Sequence, residues 1–142
     1  NVCFHRVIDG FMAQTGDVAN GNMEKDFNLR RAGTGGSDMP DLPAEFSKLP
    51  HDRGTIGAAR SSNPNSANSQ FFINFKDNGS LDKMGFPAFA EVVSGMDVVE
   101  AINKEYGDEP SQHQGEITRF GNPWLKEHYP KLDFIKSAEL VK

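Results

Sequence analysis

The sequence predicts a mainly β fold, a barrel or a sandwich of short strands with two helices as covers. Short apolar runs alternate with turns rich in Gly, Pro, Asn and Asp, which is the pattern of strands joined by tight connections. The spacing of an amphipathic helix is scarce along the chain. The chain has 142 residues, the usual length of one domain, and its eleven Phe can supply a core. We therefore expect residues 1–142 to form a single domain.

Six segments are predicted as strands, and turn residues bound each of them. In chain order they are residues 3–8, 11–15, 55–59, 70–75, 88–92 and 135–141. The chain contains no internal repeat and no low-complexity tract.

Two helices are predicted, both in the second half of the chain. Residues 95–104 carry apolar side chains at three-residue spacing, namely Met96, Val99 and Ile102. A second helix begins at Asn122, a favourable N-cap, with Pro123 in the first helical position. Pro130 ends it, because a proline disfavours the helical conformation of the residue before it.

Two long segments, residues 18–43 and 108–121, have no period and are predicted as loops. Loops of this length are usually functional or disordered. The first contains Gly33-Thr34-Gly35-Gly36, which lacks the Lys-Ser/Thr that follows the glycines of a phosphate-binding loop. We expect a flexible loop near a site rather than a phosphate cradle.

Composition excludes several classes of protein. Fifteen basic and 20 acidic residues give a net charge of −5, which disfavours non-specific binding to nucleic acid. No apolar stretch approaches the roughly 20 residues that span a bilayer. The single cysteine, Cys3, allows no internal disulfide and leaves the redox compartment open. We expect a soluble protein of the cytoplasm or the periplasm, without a membrane or nucleic-acid partner.

Neither metal chemistry nor serine catalysis is indicated. The four histidines are His5, His51, His113 and His128, and none lies at metal-ligand spacing with Cys or another His. The neighbouring charge of Arg6 favours the neutral form of His5, which is either a structural histidine or a direct participant in a site. The serines lack a Gly-x-Ser-x-Gly motif and are predicted as turn residues.

The segment of residues 69–75 predicts a pocket on one face of a strand. Side chains alternate along a strand, so the core face carries Phe71, Ile73 and Phe75. Gln70 and Phe72 share the opposite face. An apolar ring beside an amide on an outer face is typical of a shallow pocket with a polar rim. A strand buried on both sides gives the same pattern, and this alternative stays open.

A second strand repeats the arrangement. Met12 and Gln14 lie on one face of the segment of residues 11–15, again an apolar side chain beside an amide. A core Met with a surface Gln is the simpler interpretation. Arg6 lies within an apolar strand pattern, which is costly unless its guanidinium faces a polar site.

Two ordered motifs resemble the signatures of cyclophilin-type peptidyl-prolyl cis–trans isomerases. They are FHRVIDGFMAQTGD at residues 4–17 and SQFFI at residues 69–73. Further segments are similar to the bacterial branch of that family: LPAEF at 42–46, RGTI at 53–56, AR at 59–60, SAN at 66–68 and FAEVVSGMDVV at 89–99. The resemblance covers about residues 1–104, with residues 135–141 as the strand that closes the fold.

The resemblance implies an enzyme that accelerates the isomerisation of Xaa-Pro bonds in proline-containing polypeptides and so assists folding, without a metal or cofactor. The catalytic residues it implies are Arg6, Gln14 and Phe72. The substrate-binding residues it implies are Phe11, Met12, Ala59, Arg60, Gln70, Leu81 and Phe86. Two other interpretations stay open: a non-catalytic module that binds proline peptides or acts as a chaperone, and a catalytically weak fragment.

The sequence also departs from the family pattern. The family fold is an antiparallel β-barrel with capping helices, and its first two strands and first helix precede the FHR motif. That motif begins here at Phe4, so we expect an N-terminally shortened barrel. Ser80 occupies a position that is usually Trp or Phe, which implies weak binding of cyclosporin-type inhibitors. Residues 20–32 and 115–129 are inserted relative to the family.

Overall fold

The computed structural model describes residues 1–22, 31–109 and 127–141. Within these ranges the strands are β1 (Val2–Cys3), β2 (Arg6–Ile8), β3 (Met12–Thr15), β4 (Thr55–Ala58), β5 (Phe71–Asn74), β6 (Ala88–Glu91) and β7 (Phe134–Ile135). The helices with full bounds are α1 (Gly79–Lys83) and α2 (Met96–Glu100). All strand pairs are antiparallel, in one five-stranded and one two-stranded sheet. The prediction of a mainly β, antiparallel fold with few helices is confirmed.

The five-stranded sheet has the order β2-β3-β5-β4-β6. Strands β2 and β3 form a hairpin whose turn contains Gly10 at φ +63°, a conformation that glycine adopts without strain. Strand β5 lies in the centre and pairs with β3 on one side and β4 on the other. Four of the six predicted strands match observed strands to within about one residue at each end.

The two faces of this sheet carry separate apolar clusters. On one face, Phe4, Val7, Ala13 and Phe75 are buried, and α2 packs against them. Met96 and Val99 of α2, with Ile102 just after the helix, contact this cluster. These are the three residues whose spacing predicts the apolar face of a helix. On the other face, the buried cluster consists of Met12, Phe72 and Leu81. The sheet is therefore apolar on both sides, and the predicted alternation of Phe72 and Phe75 between faces is confirmed.

The prediction of one strand over residues 3–8 is wrong. The chain leaves the two-stranded sheet after Cys3 and enters the five-stranded sheet at Arg6. At the crossing, the Phe4 amide donates a hydrogen bond to the carbonyl of Asp133, at 2.9 Å. The break arises because the two halves of this segment pair with strands that are far apart in sequence.

The prediction of a strand over residues 135–141 is also wrong beyond its first residue. Val2 pairs with Ile135 and Cys3 with Phe134, and the observed pairing of β7 ends at Ile135. A strand without a partner forms no ladder of hydrogen bonds. Residues 136–141 accordingly have no regular structure, and Leu140 and Val141 are almost fully exposed.

The helices differ from the prediction in length and number. Helix α2 is confirmed but ends at Glu100, and α1 was not predicted because five residues are too few to show a period. Most of the helix predicted from Asn122 lies outside the described residues, although Glu127 and His128 are helical. The inserted segments at 20–32 and 115–129, and the loop at 108–121, also lie partly outside them. Among the described residues, no helix is both long and apolar enough to cross a membrane.

Candidate functional site

A row of side chains crosses the five-stranded sheet and positions the candidate site. Arg6 pairs with Gln14, Gln14 with Phe72, and Phe72 with Gly57 on successive strands. Residues directly opposite each other in antiparallel strands lie on the same face. The register therefore brings a guanidinium, an amide and an aromatic ring together, although the sequence separates them by up to 66 residues.

An apolar pocket of about 140 Å³ opens on this face. It is lined by Arg6, Phe11, Met12, Gln14, Ala59, Arg60, Phe72, Leu81 and Phe86. These are nine of the ten site residues implied by the resemblance, and the tenth, Gln70, lies in the neighbouring cavity described below. Ligand pockets for drug-sized molecules usually measure ≈ 300–1,000 Å³, so this pocket has room for about one small side chain.

The pocket walls are aromatic and aliphatic. Met12, Phe72 and Leu81 are each less than a tenth exposed and form the floor. Phe72 contacts Phe86 edge to face, with ring centroids 6.0 Å apart and planes at 84°. This geometry is favourable because the edge of one ring is positive and the face of the other is negative. The pocket thus offers an apolar and well-packed surface to a ring-shaped group.

Arg60 helps to build the rim through its side chain. The guanidinium carbon lies 4.5 Å from the centroid of the Phe86 ring, a cation–π contact. Its Nη2 donates to the carbonyls of Met84 and Gly85, at 2.7 and 3.1 Å. The side chain of Arg60 therefore holds the loop before Phe86 in place, a role that the sequence did not indicate.

Arg6 lies at the polar side of the pocket and has an acidic partner. Its Nε donates to Oδ1 of Asp108 at 2.8 Å, and both side chains are a little over one third exposed. The contact fixes one edge of the guanidinium. The sequence predicts Asp108 only as part of the loop of residues 108–121 and does not indicate its role beside Arg6. No local pattern links two residues 102 positions apart.

The two glutamines are connected to each other and to the glycine-rich loop. Gln14 Nε2 donates to Oε1 of Gln70 at 2.9 Å, and Gln70 Nε2 donates to the carbonyl of Gly35 at 2.7 Å. Both amide groups are therefore oriented by their partners. The pair forms a polar border along one side of the apolar pocket.

A second, polar cavity of about 490 Å³ adjoins the apolar pocket across this border. It is lined by Gln14, Gly33, Thr34, Gly35, Gly36, Ser37, Asp41, Ala59, Arg60, Ser61, Ser66, Asn68 and Gln70. Gln14, Ala59 and Arg60 belong to both cavities. The glycine-rich loop thus lies beside the site, as its sequence predicts.

Asp17 holds that loop in place from beneath. The carboxylate is fully buried and accepts hydrogen bonds from the backbone amides of Gly33 and Gly35, at 2.7 and 2.9 Å. It also accepts one from the amide of Asn20, at 2.8 Å. A buried carboxylate requires such donors, because an unpaired charge is costly away from water. The loop is therefore part of a built polar wall.

Two histidines lie near the site without lining it. Burial, together with the charge of Arg6, lowers the pKa of His5 from 6.5 to about 4, against the opposing effect of the Asp17 charge. His5 is neutral at pH 7. His51 is 1% exposed and hydrogen-bonded to Asp82, with 2.6 Å between its Nδ1 and Oδ1 of Asp82. That hydrogen bond lowers the pKa of Asp82 below its ordinary value.

The structure also places several residues that could carry metal, thiol or hydroxyl chemistry. Among residues 1–22, 31–109 and 127–141, no group of three or more His, Cys, Asp or Glu side chains is placed to hold a metal ion. Cys3 is buried, and desolvation raises the pKa of its thiol to about 12. Ser80 is exposed on α1, next to the pocket residue Leu81.

Comparison with known proteins identifies one family. The sequence profile described as "Cyclophilin type peptidyl-prolyl cis-trans isomerase/CLD" matches residues 1–122. A "Probable peptidyl-prolyl cis-trans isomerase" from Brucella abortus is 64% identical over 103 residues, which cover 72% of this chain and 52% of that protein. "Peptidyl-prolyl cis-trans isomerase B" from Escherichia coli K12 is 38% identical over 121 residues, which cover 80% and 68% of the two chains.

A solved structure supports the same fold. The crystal structure of cyclophilin AquaCyp293 from Hirschia baltica superposes with a TM-score of 0.56 at 21% identity. The match covers 72% of this chain and 53% of that chain. The chain therefore spans about half the length of this structure and of the Brucella relative.

Proposed function

This chain belongs to the family of cyclophilin-type peptidyl-prolyl cis–trans isomerases, and we propose that it accelerates the isomerisation of Xaa-Pro peptide bonds. Its substrates are exposed proline-containing segments of other polypeptides. One observation carries the proposal: the cross-strand row of Arg6, Gln14 and Phe72 places a guanidinium at the rim of an apolar pocket with room for about one small side chain.

The reaction requires a lowered barrier to rotation and no group transfer. Twisting a peptide bond removes its amide resonance, which for an ordinary peptide bond costs roughly 18–20 kcal/mol. Uncatalysed prolyl isomerisation takes 10–100 s at 25 °C. Any group that interacts more strongly with the twisted bond than with the planar one accelerates the rotation.

Arg6 is the residue to which we assign that interaction. In the twisted state the imide nitrogen becomes pyramidal and gains a lone pair that can accept a hydrogen bond. Asp108 engages Nε of Arg6, so that the terminal nitrogens of the guanidinium are the donors for the substrate. Because the planar bond offers no such lone pair, the contact is strong only in the transition state.

The other residues hold the substrate on either side of the rotating bond. Phe11, Met12, Phe72, Leu81 and Phe86 grip the proline ring. Gln14 and Gln70 bind the substrate backbone, and Ala59 with the backbone of Arg60 binds the residue before the proline. Burial of the proline ring in the apolar pocket holds one side of the Xaa-Pro bond, while the carbonyl of the preceding residue rotates.

Substitution of Arg6 tests the proposal. Arg6→Ala should lower kcat on a short Xaa-Pro peptide by about a hundredfold or more, because it removes a donor that acts only in the transition state. The kcat of Arg6→Lys should lie between those of the wild type and Arg6→Ala, because an ammonium keeps the positive charge but lacks the planar guanidinium geometry. Exchange NMR or a protease-coupled assay measures the rates, and circular dichroism checks the fold.

Arg53→Ala is the matched control. Arg53 is also a partly exposed arginine whose Nε donates to a carboxylate at 2.8 Å, here Oε1 of Glu100, but it does not line the pocket. The Arg53→Ala variant should retain the wild-type kcat. A folded Arg6→Ala variant with wild-type isomerisation rates would refute the proposed mechanism. A wild-type chain that binds Xaa-Pro peptides without isomerising them would instead favour the non-catalytic peptide-binding module.

We also propose that cyclosporin-type inhibitors bind weakly. Family members usually place an aromatic residue immediately before the Leu of the site, and Ser80 occupies that position here. A serine supplies neither the indole N–H donor nor the apolar wall.

A further inference from the structure

His51 lies directly behind the wall of the apolar pocket. Its ring stacks on Phe72, with centroids 5.7 Å apart and planes at 17°. Phe72 lines the pocket, whereas His51 is 1% exposed and does not. Any effect of His51 on a bound ring must therefore be transmitted through Phe72 or another wall residue.

Asp82 fixes the His51 ring in this position. Oδ1 of Asp82 lies 2.6 Å from Nδ1 of His51. The same oxygen accepts a hydrogen bond from the backbone amide of His51, at 3.0 Å. A carboxylate accepts hydrogen bonds, so the Nδ1 atom carries the proton. The ring cannot turn away from Phe72 without breaking this bond.

Gly57 leaves no spare room around the two rings. A Cβ atom added at Gly57 would overlap the Phe72 ring and lie 2.9 Å from Nε2 of His51. The two rings and the Gly57 backbone are therefore close-packed. Because no empty space lies between the two rings and the Gly57 backbone, movement of the His51 ring would also move Phe72.

The backbone of His51 supports a second wall of the pocket. The amide of Asn78, the residue before α1, donates to the carbonyl of His51 at 2.7 Å. The amide of Leu81 then donates to the carbonyl of Asn78 at 2.8 Å, and Leu81 lines the pocket. His51 is thus connected to both Phe72 and Leu81, which face the same ligand.

We propose that His51, held by Asp82, is a positioning residue that fixes the Phe72 and Leu81 walls and thereby sets the affinity of the pocket for the substrate proline. The inference rests on the proposed function, because it takes this pocket as the proline site. A histidine suits the role because one planar ring both stacks on an aromatic and donates to a carboxylate.

Asp82→Ala tests the proposal at a partly exposed position outside the pocket. The freed ring should loosen the Phe72 wall and raise KM for an Xaa-Pro peptide about two- to tenfold, the range expected for loss of an ordered aromatic contact. The pocket grips proline equally in the planar and twisted states, so kcat should stay within about twofold of wild type.

Asp97→Ala is the matched control. Asp97 is an aspartate in the first turn of the other five-residue helix, and α2 packs on the opposite face of the sheet. It should leave both KM and kcat unchanged. An equal rise of KM in both aspartate variants, or no rise in Asp82→Ala, would overturn the proposal.

Substitutions at His51 add a rescue test. His51→Ala removes the ring and should raise KM at least as much as Asp82→Ala. His51→Phe keeps a ring that can stack on Phe72 and should return KM most of the way to the wild-type value. If His51→Ala does not fold, Asp82→Ala and its control still decide the question.

A readout without turnover separates this inference from the proposed function. Carbon-13 NMR of labelled Phe in the unliganded protein should show shifted Phe72 ring signals in Asp82→Ala and unshifted ones in Asp97→Ala. Unshifted Phe72 signals in Asp82→Ala refute the positioning role. If the wild type isomerises no Xaa-Pro peptide, the proposed function fails, and these ring signals alone decide whether His51 positions Phe72.

Discussion

His5 and Arg6 are adjacent in sequence but have opposite environments. His5 is buried beneath the glycine-rich loop, where a Cβ atom added at Gly33 would lie 3.0 Å from the imidazole. Arg6 is half-buried at the pocket rim and paired with Asp108. Arg6 is the first residue of β2 and lines the pocket, whereas His5 lies just before that strand, in the connection from β1. The site thus places its cation at the surface while the neighbouring imidazole stays neutral.

The neutral state of His5 predicts a loss of stability in mild acid. The pKa of His5 is about 4 in the folded chain and near 6.5 when unfolded. Between these values the unfolded chain binds a proton that the folded chain does not, so the free energy of unfolding decreases as the pH falls from 6.5 to 4. The decrease amounts to roughly 3 kcal/mol at most and levels off below pH 4.

Urea denaturation across this pH range measures the effect. His5→Gln should flatten the pH dependence between 6.5 and 4, because an amide does not titrate there. Asn63→Gln serves as the control, since Asn63 is exposed and neither amide titrates, so the slope should stay that of the wild type. A wild-type chain whose stability is constant over this interval would contradict the prediction.

Helix α1 is a very short element that is held in place through Asn78, the residue immediately before it. Asn78, 4% exposed, donates through its side-chain amide to the carbonyl of Phe11 and to Oδ1 of Asn74, at 2.9 and 2.8 Å. Isolated helices this short are not stable in water, so tertiary contacts must maintain α1. The helix then directs Leu81 into the pocket and leaves Ser80 exposed beside it.

This placement predicts the effect of an aromatic residue on α1. Ser80→Trp should tighten the binding of a cyclosporin-type inhibitor by about 1 kcal/mol or more, through a new hydrogen bond and aromatic burial. Isothermal titration calorimetry measures the affinity. Lys83→Trp adds the same ring at another exposed position of the helix and should have no effect. Unchanged affinity in Ser80→Trp removes this position from the inhibitor site.

On the scale of the whole molecule, a third cavity adjoins the polar cavity, with which it shares Asn68 and Gln70. This apolar groove has a volume of about 610 Å³, and its residues include Leu42, Pro43, Phe46, Phe71, Pro87 and Phe89. Phe46 is 67% exposed and Phe89 is 59% exposed. Phe89 belongs to β6, an edge strand of the five-stranded sheet. An exposed apolar patch beside an open sheet edge favours association with other polypeptide.

We expect residues 1–142 expressed alone to be low-melting or prone to aggregation, and weakly active, because stabilities of about 5–15 kcal/mol leave little margin for exposed core-like surface. Phe46→Ser with Phe89→Ser should reduce the binding of an apolar dye and the self-association seen by sedimentation. Val93→Ser, at a residue 90% exposed but outside the groove, is the control. A monomeric chain that melts cooperatively at an ordinary temperature, binds no dye and turns over fully would refute this expectation.

Much of the site could be predicted from the sequence because its motifs are local. Strands β3, β4, β5 and β6 follow from short apolar runs between turn residues, and the Met96, Val99 and Ile102 contacts follow from their spacing. The alternation of side chains along an extended segment predicts that Phe72 and Phe75 lie on opposite faces of the sheet, as they do. The family resemblance implies the nine residues that line the apolar pocket.

Partners distant in sequence could be decided only by the tertiary structure. The contacts of Arg6 with Asp108 and of His51 with Asp82 join residues 102 and 31 positions apart, and no periodicity encodes them. The same holds for the break between β1 and β2 and for the end of β7 at Ile135, since pairing requires a partner in register. Local sequence determined the positions of β3, β4, β5 and β6 and the apolar face formed by Met96, Val99 and Ile102. The register of those strands, set by packing of the whole sheet, decided which side chains meet.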